Sequence, residues 1–176
     1  MKMSDGAEIK GEKEMQAYTE SSLVEAINEL ASKEIGHLKH EVKISLNEDD
    51  VPGKVKDSLY LIAREGLSNI RLHANATQAM ITIEGFSNRI HLFIQDDGRG
   101  FSREDIAKKK EGLTRIQKHV TELGGTYEMN TNQGSGVAHW VFIPLPLVRI
   151  NQAKLEMKIH LSWRSNGEAL NDPRSR

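Results

Sequence analysis

Apolar residues at Leu23, Ile27, Leu30, Ala31 and Leu38 recur at helical spacing, and Ser21 or Ser22 is placed to cap that helix. Gly36 weakens its end. Val42, Ile44 and Leu46 then alternate with Glu41, Lys43 and Ser45, the period of a half-buried strand, and 47–53 reads as the turn after it. The strongest helical pattern covers 57–73, where Leu59, Ile62, Ala63, Gly66 and Ile70 fall within one stripe. Strands over 79–84 and 90–96, joined through Ser87 and Asn88, predict a hairpin. A glycine-punctuated loop leads from Asp97 to the charged run Lys108-Lys109-Lys110-Glu111. A helix follows with Leu113, Ile116, Val120 and Leu123, and stops at Gly124-Gly125. Two last strands, 127–130 and 137–143, flank a turn over 132–136, and Pro144 and Pro146 end the second. Helices and strands mixed in this order, without strict βαβ repetition, predict an α+β fold with helices layered on a mostly antiparallel sheet.

The ends read differently. Residues 1–20 form a polar leader, frayed or the stub of an upstream region, and 21–147 form the compact domain. Residues 148–176 are a tail in which Leu155, Met157, Ile159, Leu161 and Trp163 alternate as an extra edge strand, followed by a segment that reads as disordered.

Composition narrows the function classes. The 176 residues, 38% of them hydrophobic, suffice for one core. With 24 Lys+Arg against 25 Asp+Glu the net charge is −1, which argues against nucleic acid as a partner. The chain has no cysteine, so disulfides, thiolate zinc sites and cysteine nucleophiles are excluded and a cytoplasmic location is expected. No apolar run approaches the ~20 residues of a membrane span, so direct membrane contact is not expected.

The P-loop pattern, the Rossmann G-x-G-x-x-G, H-E-x-x-H and G-x-S-x-G are all missing from the sequence. Three other features carry chemistry. Glu65, Asn69 and His73, spaced by four, advance about 40° per step and form a polar row beside the apolar stripe of their helix. An Asn oxygen suits Mg²⁺ when phosphates supply the remaining charge, whereas a solvated helix edge is the plain alternative. Asp96-Asp97-Gly98-Arg99-Gly100 follows a strand in which alternation puts Asp96 on the apolar face with Ile90, Leu92 and Ile94. A carboxylate there needs a partner; a purine amine would serve, with two glycines letting backbone approach the base, unless both carboxylates simply end the strand in water. Third come Gly112 at a helix start and Gly134-Ser135-Gly136 before the last strand, places suited to phosphate and equally to ordinary loops.

Taken together, Glu65-Gly66-Leu67-Ser68-Asn69, Asp96-Asp97-Gly98-Arg99-Gly100-Phe101, Gly112-Leu113, Leu123-Gly124-Gly125-Thr126 and Gly134-Ser135-Gly136 resemble the ATP-binding domain of sensor histidine kinases. The short stretch between Phe101 and Gly112 is similar to the nitrate-sensor and desaturase-sensor subfamily. The resemblance spans roughly 23–146. It implies a two-layer α/β sandwich, helices on one face of a mixed, mostly antiparallel sheet, as in type II topoisomerases, mismatch-repair ATPases and heat-shock chaperones.

It further implies that Asp96 holds the adenine amine, Gly98 and Gly100 line the base, and Asn69 holds Mg²⁺. Glu65 would order water at the ion or act as base. His73, Gly112, Leu113, Gly134, Ser135 and Gly136 would complete the cofactor-binding set, with 102–111 as a mobile lid. Where the subfamily has a basic residue before the histidine, this chain has Leu72, and Arg71 is displaced by one position. Arg115 replaces a usual Gly, His119 a usual Arg, and Val137 a common hydroxyl.

The implied reaction is transfer of the ATP γ-phosphoryl group to a histidine on a separate dimerisation domain, with a response regulator served indirectly. No acceptor-bearing hairpin is visible upstream, and His40-Glu41 reads as strand edge, so the chain reads as an excised or separately encoded catalytic domain, monomeric alone. An anti-sigma-factor serine kinase of the same fold is the nearest rival. A module that binds nucleotide or a partner without turnover is the rival of another class.

Overall fold

The computed structural model describes residues 22–86, 88–101 and 110–145. The leader, the tail strand and all but the last two residues of the lid anticipated over 102–111 lie outside these residues; Lys110 and Glu111 open a helix.

The first helix, α1 (Leu23–Ile35), begins with a capping box: Ser22 Oγ accepts from the Glu25 N–H and Glu25 Oε2 accepts from the Ser22 N–H, both at 3.1 Å. Glu48, from a short 3₁₀ turn (Glu48–Asp50), adds a second cap that no local pattern announces, accepting from the N–H groups of Leu23 and Val24 at 2.8 and 3.0 Å. The helix stops at Ile35, three residues short of the predicted stripe, because Gly36 closes it onto the Ser32 carbonyl. Leu38 instead leads into β1 (Lys39–Ser45).

The second helix, α2 (Gly53–Asn69), starts four residues earlier than its apolar pattern. Pro52, with no N–H to satisfy, sits at its N-cap and accepts from Val55 and Lys56 through its carbonyl. At its other end the helix widens into a π turn (Ile70–Ala74), closed by Asn75 at φ +50°, a left-handed conformation that Asn tolerates.

The remaining elements are β2 (Gln78–Phe86), β3 (Arg89–Asp96), α3 (Lys110–Glu122), β4 (Thr126–Thr131) and β5 (Val137–Pro144). The sheet order is β1-β2-β3-β5-β4, with β1 parallel to β2 and every other pair antiparallel. The mixed, mostly antiparallel sheet expected from sequence is therefore present, and its one parallel pair is bridged by α2, as a parallel crossover requires. Alternation assigns the faces. Ile81, Ile83, Ile90, Leu92, Ile94, Val141 and Ile143 point at the helices and bury Leu23, Ile27, Leu59, Ile62, Ile116 and Val120 against them. On the open face, Phe93 stacks near Trp140 and His91 meets Phe142 edge-on. Gly124, at φ +68°, ends α3 in the left-handed turn expected there.

Candidate functional site

Gly66 sets the spacing of the site. A Cβ at Gly66 would come within 2.6 Å of Ile94 Cδ1, so its absence lets α2 ride directly on β3 and brings the polar row of α2 close to the end of that strand. Two residues beyond Ile94, on the same face, Asp96 is 4% exposed. Its Oδ1 accepts from the Gly98 N–H at 2.8 Å. Burial raises its carboxyl above the ordinary value, and the N–H groups of Gly98 and Val137 act in the opposite sense by favouring the charged form. Asp97 has another task. It accepts from the Thr77 N–H, the Thr77 hydroxyl and the Gln78 N–H at 2.6–2.8 Å, and these bonds, that of the hydroxyl first, lower its pKa. Asp97 thus fixes the backbone while Asp96 faces the interior.

Glycines surround Asp96 with bare backbone. A Cβ at Gly98 would strike the Ala74 carbonyl oxygen, and one at Gly136 would strike that of Asp96 itself. Gly100, at φ +66°, packs against the Asn132 carbonyl, and Gly134 donates to the Arg99 carbonyl at 2.7 Å. Thr131 Oγ1 stitches the loops, accepting from the Phe101 N–H at 2.8 Å and donating to the Gly136 carbonyl at 3.0 Å. Ser135 is exposed in its turn, with its N–H bonded to the Asn132 carbonyl. Asn69, Asp96, Gly100, Phe101, Val137 and His139 line one narrow cavity. A larger hollow of about 610 Å³ spans the ends of β1, β2 and β3 around Lys39, Glu41, Gln78 and Gln95, but it is open and lacks the glycine walls.

The polar row meets the first turn of α3. A Cβ at Gly112 would lie 2.5 Å from Glu65 Oε1 and 3.5 Å from Asn69 Oδ1, so both side-chain oxygens converge on this glycine. Arg115, one turn along, donates from Nε to Glu65 Oε2 at 3.0 Å and from Nη2 to Oε1 at 2.9 Å. Leu113 is half-buried beside them in sequence. His73, four residues on from Asn69, falls within the π turn (Ile70–Ala74) that follows α2. Its carbonyl accepts from Arg99 Nε at 3.0 Å.

The family profile described as "Histidine kinase-, DNA gyrase B-, and HSP90-like ATPase" matches residues 54–147. The chain belongs to this ATPase family. Among curated relatives, the sensor protein VraS of Staphylococcus epidermidis is 29% identical over 128 residues, covering 72% of this chain and 36% of the relative. That of Staphylococcus saprophyticus is 30% identical over the same shares. The chain thus spans about a third of the length of these relatives. The blue-light activated histidine kinase EL346 of Erythrobacter litoralis shares the fold at a TM-score of 0.61 and 21% identity, over 77% of this chain and 50% of that one. Full-length ShkA, solved with AMPPNP, gives a TM-score of 0.52 at 18% identity, over 69% and 29%.

As a member of the histidine-kinase-like ATPases, the chain carries an ATP-binding domain of the sensor-kinase type. No helix among the described residues is long and apolar enough to cross a membrane. The surroundings of Asp96 also contain residues that sequence reasoning missed. His139 is 4% exposed and lies with its Nδ1 2.8 Å from the Tyr127 hydroxyl; burial lowers it to about 4 and pushes Tyr127 up. Thr131 was equally unmarked, and Phe101 entered only as the last residue of the motif that starts at Asp96. Only the strand register, Tyr127 facing Val141 and Met129 facing His139, could have flagged the His–Tyr pair.

Proposed function

We propose that this domain binds ATP with Mg²⁺ and transfers the γ-phosphoryl group to a histidine on a separate dimerisation domain. The observation that carries the nucleotide reading is Asp96: a buried carboxylate at a strand end, surrounded by glycines whose bare α-carbons let the backbone pack closely about it. An adenine amine donating to it would offset part of its desolvation. Gly98 and Gly100 would flank the base, and Gly134, Ser135 and Gly136 would shape the phosphate end. Leu113 and His73 would border the same cleft.

The oxygen donors fit a hard cation. Glu65 and Asn69 converge on Gly112, while no three acidic or histidine side chains gather into a metal cage among the described residues, so phosphates would supply the remaining ligands. Asn69 would hold Mg²⁺, which when bound neutralises phosphate charge. Glu65 would orient a water or accept the proton at the reacting end. The rest of catalysis is positioning, since phosphoryl transfer asks little covalent chemistry of the protein.

A response regulator served downstream and a membrane-anchored parent protein belong to the same proposal and extend beyond this chain. A second reading, nucleotide binding without turnover, is favoured by one observation: Glu65 is held by Arg115.

Calorimetric titration with Mg²⁺–ATP tests the nucleotide reading. Asp96→Asn is expected to weaken binding roughly 10- to 100-fold, the scale of a hydrogen bond to a charged group. Unchanged affinity in a folded variant would defeat the assignment.

A further inference from the structure

The charges around the phosphate end are arranged unevenly. In the π turn that follows α2 the position before His73 is Leu72, 55% exposed and uncharged. Arg71 turns away to Glu34, with Nε 2.6 Å from its Oε2. Arg99 is engaged with the His73 carbonyl. Among the described residues, a cation bonded to the polar row is Arg115, and it comes from the opposite helix.

Arg115 grips Glu65 with two parallel hydrogen bonds across 50 residues of sequence. The two side chains are unequally exposed: 58% for Arg115 and 17% for Glu65. The pair covers both carboxylate oxygens, while the Arg115 side chain as a whole stays more than half exposed. The same planar fork fits a phosphate as well as a carboxylate, and a nucleotide's phosphates carry more charge than one carboxylate. An ion pair with so exposed an arginine shifts an equilibrium by no more than about fivefold, so such a competitor can displace Glu65. Gly112 makes the exchange local, because its bare α-carbon brings Glu65 Oε1 and Asn69 Oδ1 to one place beside the first turn of α3.

We propose that Arg115 is a positioning residue that exchanges partners: it holds Glu65 in the absence of nucleotide and moves to the phosphates of bound ATP, freeing the Glu65 carboxylate for the reacting end. The inference rests on the reading of this cleft as the ATP site. It makes phosphate binding and release of Glu65 one event, and it supplies the cation that Leu72 does not. No bond is made or broken in the exchange; one anion replaces another on the guanidinium.

The test is a double-mutant cycle on the full chain, titrated with Mg²⁺–ATP and with adenosine. Arg115→Gln is expected to weaken ATP about tenfold and leave adenosine unchanged. Glu65→Gln is expected to tighten ATP several-fold by removing the competitor for Arg115, and that gain should vanish in the Arg115→Gln background. If Arg115→Gln shifts ATP and adenosine equally, the pair is merely structural and the exchange is overturned. A Glu65→Gln gain that persists without Arg115 is plain repulsion between carboxylate and phosphate, which overturns it too. Wild-type protein that binds neither adenosine nor ATP would defeat the site reading itself, an outcome distinct from both.

Discussion

The α-carbon of Gly136 abuts the backbone carbonyl oxygen of Asp96 so closely that no Cβ fits between them. Gly136 also holds φ at +73°, where an L side chain is strained by about 1–2 kcal/mol. The obstacle is backbone rather than a movable side-chain tip, so Gly136→Ala adds an overpacking cost of about 1–3 kcal/mol. A total loss of about 2–5 kcal/mol is expected in denaturant unfolding, together with weakened nucleotide binding as Asp96 is displaced. Ser135→Ala, one exposed residue earlier, should leave stability within about 0.5 kcal/mol. Equal stability of the two variants would mean that the glycine carries no packing role.

Asn69 ends α2 with its Oδ1 turned toward Gly112. If it holds the ion, Asn69→Ala should remove the Mg²⁺-dependent increment of ATP binding and leave metal-free affinity unchanged. Alanine is a better helix former than asparagine, so the helix should persist. Titrations with and without chelator decide the matter, and a variant with wild-type Mg²⁺ dependence places the ion elsewhere.

Features set by local period were readable in the sequence, whereas features set by distant partners were not. Strand parity alone put Asp96 on the helix side with Ile90, Leu92 and Ile94, where it is found. Ser22 and the glycines closing α1 and α3 were equally plain, because capping depends on near neighbours. The π turn has no comparable signature, so the widening of the helix beyond Asn69 could not be read from the sequence. Arg115 and Glu65 are paired only because α2 and α3 meet. His139 stayed hidden because β5 is apolar on both faces, with Trp140 and Phe142 covering the open side, and a histidine in such a run shows no alternation.

His139 also gives a pH dependence. Its folded pKa lies at about 4 against 6.5 for an unperturbed histidine, through burial. Between those values the unfolded chain binds more protons, so stability rises with pH: the contribution is complete above about 6.5 and is lost as pH falls toward 4. The loss is on the order of 3 kcal/mol. His91 and His119, also lowered chiefly by desolvation, act with the same sign. Unfolding midpoints at pH 7, 5 and 4 should fall steadily for wild type. His139→Gln, which keeps an acceptor for Tyr127 but does not titrate, should show a flatter profile. A variant as acid-sensitive as wild type would clear His139 of the effect.

Whether the phosphoryl group goes to histidine can be settled by the chemistry of the product. His40 is the one histidine in the sequence followed directly by an acid, yet it lies in β1, in register with Ala79 of β2, with Nδ1 3.1 Å from the Leu38 carbonyl. A side chain fixed in a sheet cannot readily take the in-line position that transfer demands. With radiolabelled ATP the chain alone is therefore expected to label weakly, and a supplied histidine-bearing two-helix hairpin, added in trans, to label strongly. Phosphohistidine is lost in acid and survives alkali, whereas phosphoserine does the reverse. An acid-labile label on the hairpin supports the histidine-kinase reading, and an acid-stable one on a partner protein moves the assignment to a serine kinase of the same fold. Nucleotide bound without any label on the hairpin would leave a binding module. Adding Arg115→Gln to the same assay then separates a module that never turns over from one in which Glu65 is held in check.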